Sequence, residues 1–523
     1  MSFFLGGNFV FRGALGGGLG ALSVFGWGPV AFFPCLPLIY GALYYGVLTC
    51  RNARSAAFIA LSFGIGQHAV GHGWAFGALH WKLGLSYAFA LFGTTVFVLY
   101  LAAFLVVPVV AWACFWRNAC RTGGWQEVNQ ARAFSLAAFL TFGEWSRGEL
   151  FNGITSLSAG YAWIDTPLAS IFPMFGVFGA SLVFFGVTFG LVESLVFAKT
   201  RLKKHATAWA VGIVSVVFAV FGLSAIDWVQ PTGASLRYRL IQYNIRQEQK
   251  FDRDFLPKEI AALGDLMTEQ ESDLVVAPET AFPMYFHELP EKLLAKLRRF
   301  SSTSGTHLLV GVATIGSQMQ GYNSVMNVAP NEPYLSFISK SLLMPFGEYE
   351  PAGFWWFSQA LDLPLKNLSP GPFEQRPFSV RGVGIGTMIC QEDLTGTMAR
   401  AWAPKVGLLI NPSNLAWFER SFAIPQRIQI VQARALEVGR PVLRVANTGI
   451  TAHIDHRGRI LQQTAPDVFD VLVGEVRPMQ GNTPYARYGD WPLLFICLAA
   501  LISMGKFRVC FWAGSRAATG SVR

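Results

Sequence analysis

Eight long apolar runs limit what this chain can fold into. They lie at about 11–27, 29–49, 55–79, 84–115, 132–146, 168–198, 207–226 and 490–505. A helix needs roughly 20 mostly apolar residues to cross a bilayer, and only helices or closed barrels satisfy their own backbone groups there. Composition supports the same reading: 14% of the residues are charged and 52% hydrophobic, against about 25% charged in ordinary soluble chains. Disorder and a small disulfide scaffold are excluded. We expect a polytopic α-helical membrane domain of seven spans over 1–226. An eighth span and a tail would occupy 490–523. The first run lacks a small-residue cleavage site and reads as a retained span.

Charge supplies the orientation. Residues 227–489 hold 25 of the 41 Lys+Arg and 25 of the 31 Asp+Glu, so the whole net charge of +10 falls on the apolar part. A nucleic-acid binder carries its basic excess on a folded domain; here it sits between apolar runs, which argues against that class. Basic clusters follow the second run (Arg51, Arg54), the fourth (Arg117, Arg121, Arg132), the sixth (Lys199 to Lys204) and the eighth (Lys506 to Arg523). With eight spans they share one side, which the positive-inside rule makes cytoplasmic. Both termini are then cytoplasmic and 227–489 faces outward.

That segment has a different texture. Apolar runs rich in β-branched residues, at 273–277, 308–314, 384–390 and 406–410, alternate with amphipathic stretches at 258–268 and 426–438. Buried strands alternating with helices imply an α/β sandwich.

Of seven cysteines, only Cys390 lies in this domain. A lone buried thiol is often inert packing. Cys390, however, closes an apolar strand, and the C-terminal ends of strands are where open α/β sheets place their chemistry. Two other strand ends carry charges: Glu279 closes LVVAPET, and Lys340 sits in FISKSLLMPFGEYEP ahead of Glu348. Each alone is a solvated charge more often than not. Together they supply a base, a cation and a nucleophile.

Within APET, K-x-x-L-x-P-F-G-E-Y and G-x-M-I-C-x-E, residues Glu279, Lys340 and Cys390 resemble the Glu-Lys-Cys triad of the nitrilase (carbon–nitrogen hydrolase) superfamily. With eight spans and an outward domain, the chain is similar to the bacterial apolipoprotein N-acyltransferase family. Asn411-Pro-Ser-Asn414, Ala416-Trp417-Phe418, residues 434–450 and 483–492, and Glu144-Trp145-x-Arg147-Gly148 match as well. The resemblance implies an αββα catalytic sandwich over 227–489 and no cofactor or metal. It implies a monomer in the inner membrane with its catalytic domain in the periplasm. A phospholipid would donate an acyl chain through a Cys390 thioester to the α-amino group of a diacylglyceryl-cysteine lipoprotein. Glu348, Glu392, Asn414 and Trp417 would support the site or contact substrate. Four positions depart from the family pattern: Phe251, Gln391, Leu415 and Arg427. Two other readings stay open at this stage, a membrane-tethered amidase and a paralogue that acylates another amine.

Two aromatic clusters, Phe282–Phe286 and Phe354–Phe357 with Trp355 and Trp356, follow triad residues and are expected to rim an apolar entrance. Glu144, Arg147 and Glu149 read equally as an ion-paired helix end or as headgroup contacts. His68 and His72 have metal-pair spacing but no carboxylate nearby, so a packed pair is the better reading. The Gly16–Gly20 stretch suits close helix packing.

Overall fold

A computed structural model of the chain describes residues 9–50, 52–120, 129–198, 203–250, 252, 254–350, 367–418 and 421–502. Helices α1 (Phe9–Ser23), α2 (Cys35–Leu48), α3 (Ala53–Gly71), α4 (Tyr87–Cys120), α5 (Asn129–Glu149), α6 (Phe172–Ala198) and α7 (Lys203–Gly222) follow seven of the apolar runs. An apolar helix, Trp491–Ile502, occupies the eighth. Among the described residues, three helical segments are long and apolar enough to cross a membrane: Tyr87–Trp116, Pro167–Ala198 and Lys203–Ala225, with mean hydropathies of 2.5, 2.1 and 2.2. Val10–Gly26, Cys35–Leu48 and Trp491–Ile502 are shorter apolar helices. The second run becomes helical only at Cys35, because Pro29 and Pro34 disfavour helix in the residues before them. The third run stops at Gly71, and Trp74–Gly77 forms a separate turn.

These helices pack into one apolar cluster that includes Tyr40, Tyr44, Phe63, Trp112, Phe172 and Phe189. Helix α6 is buried at its centre, whereas α7 lies outside with Val211, Val214, Phe218 and Phe221 exposed. Helix α6 breaks at Gly176, where φ is 64°. A Cβ there would fall 2.4 Å from the Tyr485 ring, so both backbone sign and space call for glycine.

The remaining chain builds two large sheets, beside a short antiparallel pair of β1 (Val229–Pro231) and β15 (Met479–Gly481). One has the order β14-β2-β3-β5-β6-β7, with β4 also pairing β5. Its strands are β2 (Leu236–Gln242), β3 (Leu274–Val276), β4 (Phe282–Tyr285), β5 (His307–Ile315), β6 (Gly321–Val328), β7 (Ser336–Ser339) and β14 (Asp470–Val476). The other has the order β13-β12-β11-β10-β9-β8, from β8 (Phe378–Val380), β9 (Val383–Thr387), β10 (Leu408–Ser413), β11 (Val442–Ala446), β12 (Ala452–Ile454) and β13 (Ile460–Gln463). At the centres, β2-β3-β5 and β9-β10-β11 are parallel. Their near-continuous Leu/Val/Ile runs are what a doubly covered sheet requires.

Leu240, Val276 and Leu309 of one sheet pack with Ile385, Leu409 and Leu443 of the other. After the short helix α8 (Gln247–Lys250), helices α9 (Leu256–Met267) and α10 (Glu291–Ser304) cover the outer face of the first sheet through Ile260, Leu263, Leu293 and Leu297. Helices α11 (Gly396–Trp402) and α12 (Ala423–Val438) cover the second. The result is the expected αββα sandwich.

Helix α12 has two packed faces. Ile428, Val431 and Ala435 face the sheet, while Ile430, Ala433 and Leu436 join the helical cluster of the N-terminal half. Its polar side chains complete the joint: Gln429 Oε1 accepts from the Gly28 N–H at 3.0 Å, and Glu437 Oε1 accepts from the Val177 N–H at 2.9 Å. The second bond satisfies a donor freed by the break at Gly176. Thr155 Oγ1 adds a bond of 2.9 Å to the Leu394 carbonyl. The sandwich is therefore held in a fixed orientation over one end of the helices.

Candidate active site

Glu279, Lys340 and Cys390 meet where strands of the two sheets end. Glu279 follows β3 by three residues, in a segment that crosses directly over Gly311. A Cβ on Gly311 would stand 2.4 Å from the Thr280 nitrogen, so glycine in β5 lets the carboxylate turn sit against the sheet. Lys340 follows β7, and its N–H donates to the Asn323 carbonyl at 2.7 Å. Strand β9 ends at Thr387, three residues earlier than the apolar run suggests, and the turn at Cys390 takes φ +52°. A non-glycine residue held in that region costs about 1–3 kcal/mol and persists only where its surroundings fix it.

The surroundings do fix it. The Asn411 amide, on β10, donates to the Met388 and Cys390 carbonyls at 2.6 and 3.1 Å. Arg444 Nη1, on β11, donates to Asn411 Oδ1 at 2.6 Å and to Asp393 Oδ2 at 2.8 Å. Arg427 contacts the other Asp393 oxygen at 2.8 Å. Glu392 accepts three backbone N–H bonds, from Ile389 and Ser341 at 2.7 Å and from Leu342 at 3.1 Å. It thereby ties the cysteine turn to the loop after Lys340.

Lys340 Nζ lies 3.2 Å from Glu279 Oε1 and 2.8 Å from Glu348 Oε2. The Asn323 amide bridges the same carboxylates at 2.9 and 2.7 Å. Glu279 also accepts the Asn414 N–H at 2.9 Å and a hydrogen bond from the Cys390 thiol. Lys340 is 2% exposed and Glu279 6%, so these charges act with little solvent screening.

Protonation follows from that geometry. Burial and the facing Glu279 carboxylate push the Cys390 thiol up to about 12, against Lys340 and Arg427. Burial alone would raise the Glu279 carboxyl, but Lys340, the hydrogen bonds from Cys390 and Asn323, and Lys250 hold it below its ordinary value. Burial opposes the Lys340 charge, yet Glu279 and Glu348 more than restore it and raise its pKa. The resting site is a thiol donating to a carboxylate, beside an ammonium. This arrangement can deprotonate the sulfur on demand and stabilise an oxyanion.

Two family models match the chain: "Carbon-nitrogen hydrolase" over residues 237–484 and "Apolipoprotein N-acyltransferase N-terminal domain" over 17–190. The apolipoprotein N-acyltransferase of Nitrosomonas europaea is 33% identical over 496 residues, 93% of this chain and 95% of that protein. The chain belongs to the apolipoprotein N-acyltransferase family. The family's enzyme from Ralstonia nicotianae is also 33% identical, over 92% of each chain. Among solved structures, a CN-hydrolase superfamily protein from Xanthomonas campestris, XC1258, is 19% identical with a TM-score of 0.36, covering 47% of this chain and 91% of that one.

Of the other residues expected in the site, Glu348, Glu392 and Asn414 join the network just described. Asn414 also donates to Gln247 Oε1 at 3.0 Å. Trp417 packs beside Leu415, Phe418 and Ile424 with Trp74 of the helical half. Trp355 and Trp356 lie outside the described residues, as does Phe251. In the Phe282–Phe286 cluster, Met284, Tyr285 and Phe286 are half-buried. Phe282 is fully buried in strand β4, and Phe286 packs on Phe337, because their partners are the apolar faces of β5 and the covering helices.

Gln391 donates to the Leu342 carbonyl at 3.2 Å, and Leu415 fills the space above Gly449. Glu144 and Arg147 turn inward, bonding the Ala159 N–H and Ser158 Oγ, each at 2.9 Å. His68 and His72 bond each other through Nδ1 at 3.3 Å, and His72 Nε2 reaches Ser156 at 2.8 Å.

The sequence assigns no role to Asn323, Asn411, Arg444 or Lys250, although Asn411 and Arg444 lie in the matched motifs. Lys250 is buried, donates to the Glu279 carbonyl at 3.2 Å, and is pushed down to about 8 by burial against the pull of Glu279 and Cys390. Asn323 and Arg444 are polar residues inside apolar strands, a signal that was legible.

Proposed function

We propose that this protein moves a fatty acyl chain from a phospholipid, through a Cys390 thioester, to the α-amino group of an S-diacylglyceryl cysteine at a lipoprotein N-terminus. Family membership over nearly the whole chain supports the overall reaction. The observation that carries the residue roles is the thiol–carboxylate–ammonium contact at Cys390, Glu279 and Lys340. Glu279 takes the thiol proton as sulfur attacks the ester carbonyl of the phospholipid. Lys340 Nζ, with backbone N–H groups after Cys390, faces the oxyanion that forms. Collapse expels the lysophospholipid alkoxide, which takes the proton from Glu279. In the second half, the neutral amine attacks the thioester, Glu279 removes its proton, and that proton returns to the departing thiolate. Glu348 and Asn323 position Lys340 and Glu279, while Glu392, Asn411 and Arg444 position the cysteine turn.

Helices over all eight apolar runs, three of them long and apolar enough to cross a membrane, support a polytopic protein of the bacterial inner membrane, with residues 1–226 and 490–523 in or beside the bilayer. Basic loops on one side argue for cytoplasmic termini and a periplasmic domain at 227–489. A monomer is what the family resemblance implies.

Protein incubated with phospholipid should gain one acyl mass on the Cys390 peptide. Neutral hydroxylamine should remove it, and a diacylglyceryl-cysteine peptide should discharge it as an amide. Discharge by water at a rate unaffected by that peptide would instead assign a hydrolase.

A further inference from the structure

A cavity of about 660 Å³ lies where the helical half meets the sandwich. It is lined by the 164–173 loop, by Leu223–Val229 after α7, and by the turn at His456–Ile460 between β12 and β13. Gln432, Leu436 and Gly439 of the α12 segment form its back wall. Leu436 is nine residues along the helix from Arg427, about 14 Å at 1.5 Å per residue, so this space is separate from the cysteine site.

Its two edges differ in character. Below it, α7 exposes Val211, Val214, Phe218 and Phe221, and Ile226 continues that apolar surface to the rim. Above it stand His456, Arg457 and Arg459. Arg457 is committed to Asp227 by an ion pair. Among the described residues, the side chains of Arg459 and His456 have no such partner. Asp165 accepts from Gln432 Nε2 on the same wall. An apolar helix face ending under a free guanidinium matches a lipid whose chains lie on the helix and whose phosphate sits at its end.

We propose that this cavity is a second phospholipid site, holding the phosphate of an outer-leaflet lipid between Arg459 and His456 while its acyl chains cover α7. The site rests on the membrane reading above and is independent of the acyl-transfer chemistry. Trp228, at the cavity wall beside the rim, occupies the interfacial level that indoles favour.

The test uses the full chain carrying Cys390→Ala, so that no lipid is consumed, in vesicles of phosphatidylethanolamine and phosphatidylglycerol. A trace phospholipid carries a diazirine beside its phosphate, and labelled peptides are mapped by mass spectrometry. Adducts should concentrate in 164–173, 223–229 and 456–460. Arg459→Glu should lower them about ten-fold, the worth of one charge-assisted contact, and Arg459→Lys should keep them. Excess inorganic phosphate should not compete. Absent labelling, labelling unchanged in Arg459→Glu, equal loss in Arg459→Lys, or displacement by free phosphate each overturns the lipid site. A probe with its diazirine at the acyl terminus should label 211–221; failure there removes the membrane reading and this site together. An acyl adduct missing from Cys390 in the parent chain would count against the acyl-transfer reading alone.

Discussion

Asn411→Asp isolates what holds the cysteine turn. The substitution is nearly isosteric, and its Oδ1 can still accept from Arg444 and Ser413, now 2.6 and 3.1 Å away. Lost are the two amide donations, to the Met388 and Cys390 carbonyls at 2.6 and 3.1 Å. Each buried carbonyl left without its donor costs about 1–3 kcal/mol, so losing two should cost the folded state about 2–6 kcal/mol. The bond to the Cys390 carbonyl is comparable to the strain of φ +52°, about 1–3 kcal/mol. Its loss lets the turn relax toward ordinary backbone and moves the sulfur away from Glu279. If about 1.4–2 kcal/mol of that appears in the barrier, acylation slows about 10–30-fold. The assay is single-turnover growth of the acyl adduct on Cys390 at saturating phospholipid, with thermal melts alongside. Adduct formation within about two-fold of the parent, despite lowered stability, would refute the positioning role.

Four further outcomes follow from the same geometry. Lys340→Met should reduce acylation by at least about 100-fold, the usual loss for an oxyanion-stabilising group, and retained activity would remove Lys340 from that role. Burial pushes Glu392 up to about 7 against three backbone N–H donors and Lys340; the folded state then binds the extra proton between about 4.5 and 7, so stability falls as pH rises through that window. Melts at pH 5 and pH 7 should show that fall in the parent and a smaller one in Glu392→Gln, where Glu437, also pushed up by burial to about 7, still contributes. Glu437→Gln weakens the Arg434 ion pair at 2.9 Å inside the joint between the two halves, and breaking such a buried pair costs about 3–5 kcal/mol; an unchanged melting temperature would show that the joint does not depend on it. An impermeant maleimide outside spheroplasts should label Cys placed at exposed Ser302 and not at exposed Lys204, and the reverse pattern would invert the orientation.

The class of protein was legible because its signals are local. Apolar runs of membrane-crossing length, basic loops between them and strand-like runs broken by Glu279, Lys340 and Cys390 are all contiguous in sequence. No one of these three residues is diagnostic alone, but their coincidence at the ends of successive buried runs made the candidate cluster visible before the fold. Tertiary structure decided the rest. Gln426, Arg427, Gln429, Gln432, Arg434 and Glu437 look like a solvated face of α12, yet all are buried. Their partners, Gly28, Asp165, Val177 and Asp393, come from distant segments. Phe282 looks like a rim residue and is core, because β4 pairs with β5. Asn411 and Arg444 matter through bonds across neighbouring strands to the cysteine turn. Spacing along a chain reports which faces are apolar; whether a polar group is solvated or buried depends on what the rest of the chain brings against it.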